Sequence, residues 1–185
     1  MLFRSNVPDS FRQLAPLFRE IWVPSEFTHR SFARAGINSY VVPHVVEPPQ
    51  GERNRNFCGL PEESTVFLYI FDGLSNFERK NPLGLVRAYR NAFPENTGRT
   101  SLVIKARNLG PVEMEEITSI RAERRDIRIL TADMTPTELQ ILMASADCYV
   151  SLHRSEGFGL TMAEAMYQGI PVDRKSTRLN SSHRT

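Results

Sequence analysis

Apolar runs of strand length alternate with helix signals through the second half of the chain, and this alternation restricts the fold more than any other feature. "STVFLYIF" (64–71) is continuously apolar, as expected for a strand buried on both faces. "NPLGLVRAYRNAF" follows as a helix, with Asn81 as its cap and Pro82 at the first helical position. "SLVIKA" reads as a second strand, "PVEMEEITSIRAER" as a helix opened by Pro111, and "DIRIL" as a third strand. "TPTELQILMASA" is a helix in which Thr135 and Glu138 form a capping box, with Pro136 at the first position. "CYVSL" is a fourth strand, "LTMAEAMYQ" a helix ended by Gly169, and "IPV" the start of a fifth strand. Repeated strand–helix alternation at short spacing predicts an α/β fold with a Rossmann-like parallel sheet. Such sheets bind ligands outside the carboxyl ends of their strands, so the strand-to-helix loops carry the functional search.

The first third is less regular. "VPSEFTHRSFARAG" predicts a short helix capped by Ser25 and ended by Gly36, with Phe27, Phe32 and Ala35 on its apolar side. "SYVVP" (39–43) reads as a strand, and the polar, proline-rich "EPPQGERNRN" as a linker. At 41% apolar and 24% charged residues the composition is that of a soluble globular protein. No apolar run approaches the ~20 residues that span a bilayer, and the start has no stretch of signal-peptide length. Cys58 and Cys148 have neither metal-ligand spacing nor a disulfide framework. The expectation is a cytoplasmic protein, with any membrane association peripheral. The net charge of +2 comes from the last thirteen residues, "DRKSTRLNSSHRT", which carry +3 and leave the rest at −1. Nothing in that balance favours nucleic acid as a partner.

The loop from Ser151 to Thr161 carries the most specific chemistry. It leaves "CYVSL" and enters a helix through "HRSEGFG", where Gly157 and Gly159 allow the backbone close to a ligand. A helix N-terminus offers unpaired N–H groups and partial positive charge, a ready phosphate site. Glu156 precedes the helix and Glu164 lies about one turn inside it. Each ionised carboxylate accepts hydrogen bonds on both oxygens, which matches the vicinal hydroxyls of a ribose or a hexose. The competing reading is structural: Thr161 and Glu164 also fit a Thr-x-x-Glu capping box, and Glu156 fits the helix dipole. Arg79 and Lys80 precede Asn81, where the helix dipole disfavours cations unless an anion lies between. Pairing with Glu78 or Asp72 on the surface is the alternative there.

"HRSEGFGLTMAEAM" closely resembles the Glu-x7-Glu motif of the retaining glycosyltransferases of family four, which have the GT-B fold of two facing Rossmann-like domains. "IWVPSEFTHRSFARAGI", "VVPHVVEPP" and "FERKNPLGLVRAYRNAF" resemble family segments in the same order, so the resemblance covers Phe18 to Val172. It implies that Glu164 binds the ribose hydroxyls of a nucleoside diphosphate sugar and that Glu156 faces the transferred sugar. The backbone amides of Gly157, Phe158, Gly159 and Leu160, beside Thr161, would hold the diphosphate together with Lys80. Arg79 would add a further phosphate contact. His153 would touch sugar or phosphate, the alternative being a histidine on the loop surface. Glu156 and Lys80 would be the catalytic pair, the reaction would retain anomeric configuration, and no metal or other cofactor would be needed.

The chain departs from the family pattern in three places. "FDGLS" stands where Gly-Arg is usual, "KARNLG" replaces a Gly-x-Gly turn, and "VVPHVVE" replaces a Pro-Asn-Gly-Val-Asp hinge. Lys105 in the second stretch would compensate by pointing at phosphate, or would be a solvated strand end. A two-domain enzyme of this kind needs about 300–400 residues, so the expectation is the C-terminal half of a GT-B fold, incomplete. The expected division is an acceptor-side remnant (1–47), a linker (48–61), the nucleotide-sugar-binding domain (62–172) and a disordered or foreign tail (173–185). The acceptor, whether glycan, lipid or small molecule, is not legible here. Two other functions fit the same architecture: a non-catalytic nucleotide- or sugar-phosphate-binding module, and a nucleotide-sugar epimerase.

Overall fold

The computed structural model describes residues 7–47, 51–156 and 158–174. The chain divides into two compact units, one running to Val45 and including Ser155–Phe158, the other holding Val46–Arg154 and the described residues from Gly159. In the first unit, helix α1 (Asp9–Leu14), strand β1 (Trp22–Val23), helix α2 (Glu26–Arg34) and strand β2 (Tyr40–Val41) follow one another. β1 and β2 pair in parallel, with Trp22 opposite Tyr40. Ser25 caps α2 as expected, its Oγ accepting from the Thr28 amide at 3.3 Å. The covered face of α2 differs from the expected one: Thr28 and Ser31 are buried, whereas Phe27 and Phe32 are half-buried.

The second unit is built on β3 (Thr65–Asp72), followed by the short helix α3 (Phe77–Lys80) and by α4 (Pro82–Ala92). It continues through β4 (Thr100–Arg107), α5 (Pro111–Glu123), β5 (Ile127–Leu130), α6 (Pro136–Ala144), β6 (Cys148–Ser151), α7 (Leu160–Tyr167) and β7 (Val172–Arg174). The five strands form one parallel sheet in the order β5-β4-β3-β6-β7. Strands thus add outward on one side of β3 and then on the other, which places the reversal point between β3 and β6.

Strand alternation assigns the core to two layers. Val66, Leu68, Ile70, Val103 and Tyr149 point to the layer completed by Leu142, Met143, Met162 and Ala165. Tyr69, Phe71, Leu102, Ile104 and Val150 point to the layer completed by Leu85, Val86, Tyr89 and Ile117. The expected capping box of α6 is present, with Thr135 Oγ1 accepting from the Glu138 amide at 3.3 Å and Glu138 accepting from the Thr135 amide at 2.7 Å. The polar stretch read as a linker contributes a buried arginine. Arg55 donates to the carbonyls of Ser145, Pro61, Glu62 and Ser64 and pairs with Asp147, at the amino ends of β3 and β6.

Candidate functional site

The loops after β3 and β4 are shaped by three asparagines. Among the described residues, the non-glycine positions with positive φ are Asn76 (75°), Asn81 (55°) and Asn108 (53°), and all three lie in these loops. Asparagine enters this region more readily than other non-glycine residues. Asp72 accepts from the Leu74 amide at 3.0 Å, and Asn76 caps α3 by accepting from the Arg79 amide at 2.9 Å. Asp72 also joins the two loops, accepting from Arg107 Nε at 2.8 Å and from Asn108 Nδ2 at 3.1 Å. Burial works to raise the Asp72 carboxyl. The bonds from Asn108, the Leu74 amide and Arg107, with the Arg107 charge, hold it below the usual range.

This arrangement corrects one expectation about the chain around Lys80. Arg79 and Lys80 are the last residues of the short α3 and, as expected, immediately precede Asn81 at the N-cap position of α4. Asn81 is left-handed (φ 55°, ψ 44°), and its side chain makes no capping bond to α4. Instead Asn81 Nδ2 donates to the Leu152 carbonyl at 3.0 Å.

A cleft of about 320 Å³ opens at the carboxyl ends of β3 and β4, lined by Ile70, Asp72, Lys80, Lys105, Arg107, Asp133, Met134, Leu139 and Thr161 among others. Lys105 is no solvated strand end: it is 4% exposed, and Nζ donates to the Ala106 carbonyl at 3.2 Å. Burial lowers its pKa, while the charge of Asp133 acts in the opposite direction. Three cations therefore face one concavity. Arg107 was missed in the sequence, although it stands two residues beyond Lys105 on one strand and so shares its face. Arg79 is not among the lining residues. Its Nε and Nη2 donate to the Ser75 carbonyl at 3.2 and 3.1 Å.

The last helix departs from the capping-box reading. The N-cap of α7 is Gly159 (φ 81°), without a side-chain cap bond. The Thr161 Oγ1 lies 2.8 Å from the Tyr149 hydroxyl instead. Glu164 is thereby released from a capping role. It stands one turn after Thr161 on the same helix face, and burial pushes its carboxyl up. No described group hydrogen-bonds to that carboxylate. His153 is not a surface histidine: it is 7% exposed, its Nδ1 lies 2.8 Å from Ser151 Oγ, and its ring is 5.3 Å from that of Tyr69. Leu160 is exposed and Gly159 buried. Glu156 and Phe158 fall in the first unit, where the Phe158 ring lies 4.9 Å from that of His44. Gly157 lies outside the described residues.

The five-stranded parallel sheet matches the fold of the C-terminal domains of GT-B glycosyltransferases. The chain belongs to the family Glycosyl transferases group 1, whose model matches residues 52–172. Comparison with curated protein sequences gave no significant match. Among solved structures, it is similar to a glycosyltransferase from Rickettsia africae (TM-score 0.71, 15% identity, 91% of this chain and 48% of that one). It is similar also to HepE of Anabaena in complex with UDP-glucose (TM-score 0.69, 17% identity, 88% and 46%). A third is TarM (TM-score 0.66, 17% identity, 96% and 34%). The chain thus spans less than half the length of each of these structures.

Proposed function

We propose that this chain is the donor-binding part of a retaining hexosyltransferase of the Glu-x7-Glu type, which takes a nucleoside diphosphate sugar. The observation that carries this reading is the convergence on one cleft of Lys80, at the end of α3 after β3, and Lys105, on the adjacent parallel strand β4, with Thr161 of α7 on its wall. In sugar transfer the bond from the anomeric carbon to the phosphate oxygen breaks with oxocarbenium character, and charge collects on the departing diphosphate. Preorganised cations stabilise that charge. Lys80 and Lys105 take this role, and Arg79, if its guanidinium turns from Ser75, adds to it. The amides of Gly157, Phe158, Gly159 and Leu160 complete the phosphate contacts, and His153 serves the sugar–phosphate junction. Glu164 accepts from the ribose hydroxyls, and Glu156 faces the transferred sugar. The cations supply the charge that a metal would, so transfer proceeds without one. That the neighbouring HepE structure holds UDP-glucose supports a nucleotide-sugar donor.

The test is a pair of substitutions read by calorimetry against nucleoside diphosphates and their sugar conjugates. Glu164→Ala is expected to weaken both ligands. Glu156→Ala is expected to spare the nucleoside diphosphate and weaken the sugar conjugate alone. Unchanged donor affinity in both variants would sink the assignment.

A further inference from the structure

Three bonds, two to backbone carbonyls and one from the Asn81 side chain, hold the segment Arg79–Asn81 against neighbouring strands and loops. The Tyr69 hydroxyl donates to the Lys80 carbonyl, the Arg154 amide donates to the Arg79 carbonyl at 2.9 Å, and Asn81 Nδ2 donates to the Leu152 carbonyl at 3.0 Å. Two of these partners flank His153, so the segment carrying Lys80 is stitched to the loop after β6 on either side of that histidine. The stitching crosses the point where the strand order reverses, between β3 and β6. Ligands of doubly wound sheets bind at this point.

The Asn81 side chain is accommodated by a second residue. Gly84 lies in the first turn of α4, where glycine weakens a helix relative to alanine. A Cβ at Gly84 would sit 2.3 Å from Asn81 Oδ1 and 2.5 Å from Asn81 Nδ2, and its three nearest neighbours would all be atoms of that side chain. The glycine thus makes room for the amide that reaches Leu152. The left-handed backbone of Asn81 aims the amide there, while its carbonyl accepts from the Leu85 amide at 3.2 Å.

We infer that Asn81, seated on Gly84, is a positioning residue that fixes Lys80 relative to the His153 loop, so that the groups from the two sides of the switch point meet one diphosphate. The inference rests on the donor-site reading above. Asn81→Gly keeps the left-handed backbone and removes only the amide. Gly84→Ala displaces the same amide from below while favouring the helix. Inorganic pyrophosphate is the probe, titrated by calorimetry into the chain and both variants, with exchange of the Arg154 amide followed in parallel by NMR.

Each single variant is expected to bind pyrophosphate about three- to tenfold more weakly, the worth of one hydrogen bond, with the melting temperature of Asn81→Gly lowered by only a few degrees. Arg154 amide exchange is expected to accelerate in both. In the Asn81→Gly background, Gly84→Ala is expected to add no further loss, because the atoms it strikes are gone. Undiminished pyrophosphate binding and a protected Arg154 amide in Asn81→Gly would overturn the inference and leave the donor site standing. Additive losses in the double variant would overturn it as well. If the unaltered chain binds no pyrophosphate, the donor-site reading fails and the inference falls with it.

Discussion

The two ends of the central sheet use the same charged residue types in opposite ways. At the amino ends, Arg124 donates to Asp126 through Nε at 2.8 Å and Nη2 at 2.5 Å, and to the Phe93 carbonyl at 2.8 Å. The Tyr89 hydroxyl lies 3.1 Å from both Asp126 and Thr100, and burial chiefly pushes its pKa up to about 12. Arg55 and Asp147 form a second such cluster beside it in the sheet. At the carboxyl ends, Lys80, Lys105 and Arg107 face an open cleft, and Glu164 has no hydrogen bond from a described group. The amino end spends its charges on buried contacts with the protein's own backbone and carboxylates; at the carboxyl end Arg107 also meets Asp72 and Lys105 the Ala106 carbonyl, but there the cations line a cleft. Charge that is internally matched holds a fold, and charge that converges on a cavity binds a ligand.

The largest effect that separates the two ends is expected from Asp126→Ala, which leaves Arg124 buried without its carboxylate. The loss is about 3–5 kcal/mol of unfolding free energy, measured by urea denaturation. A change under about 1 kcal/mol would show that this end is not the structural one. Acidification reaches the same groups more gently. Burial would raise the carboxyls of Asp126 and Asp147. Their hydrogen bonds, from Arg124 and Tyr89 in one case and from the Val66 amide and Arg53 in the other, and the neighbouring arginine charges prevail and depress both. Their contribution is therefore fully present above the unfolded carboxyl range near about pH 4, and is lost as pH falls through the depressed folded values. A circular-dichroism acid titration checks this, with Asp126→Asn expected to flatten the decline below about pH 4.

At the carboxyl end the signs reverse. Lys80→Ala is expected to leave the melting temperature within a degree or two and to weaken nucleoside diphosphate binding by about ten- to a hundredfold, as for a hydrogen bond to a charged group. Glu164→Gln gives the smallest stability effect. Its folded carboxyl is raised by burial, so the charged form is disfavoured in the fold, and stability declines as pH rises from the unfolded pKa to the folded one. Removing that charge is expected to keep or raise the melting temperature at neutral pH while lowering nucleotide affinity. A lower melting temperature with unchanged affinity would return Glu164 to a structural role.

The repeated strand–helix pattern made the sheet legible, because strands buried on both faces are written as unbroken apolar runs such as "TVFLYIF" and "SLVIK". Lys105 was legible as a candidate because it sits where the second run ends, and Lys80 because it precedes the helix opened by Pro82 in a stretch that resembles a family segment. What escaped the sequence were interactions between residues far apart along the chain. Asn81 before Pro82 looks like a helix cap, and only the nearness of β6 turns its amide toward Leu152. Thr161 and Glu164 have capping-box spacing, but the left-handed Gly159 takes the cap position and Tyr149 takes the threonine. Arg55 sits in a polar, proline-flanked stretch, and its burial depends on carbonyls of Pro61, Ser64 and Ser145 that local composition does not announce.

The most direct test of the central claim is an NMR titration of the 15N-labelled chain with the diphosphates of uridine, guanosine, adenosine and cytidine, with EDTA present. At least one of them is expected to shift the amides of Lys80, Lys105, Arg107 and Thr161 saturably, while those of Arg55, Arg124 and Asp126 stay still. Shifts confined to the amino ends of the strands, or none with any of the four nucleotides, would contradict that claim.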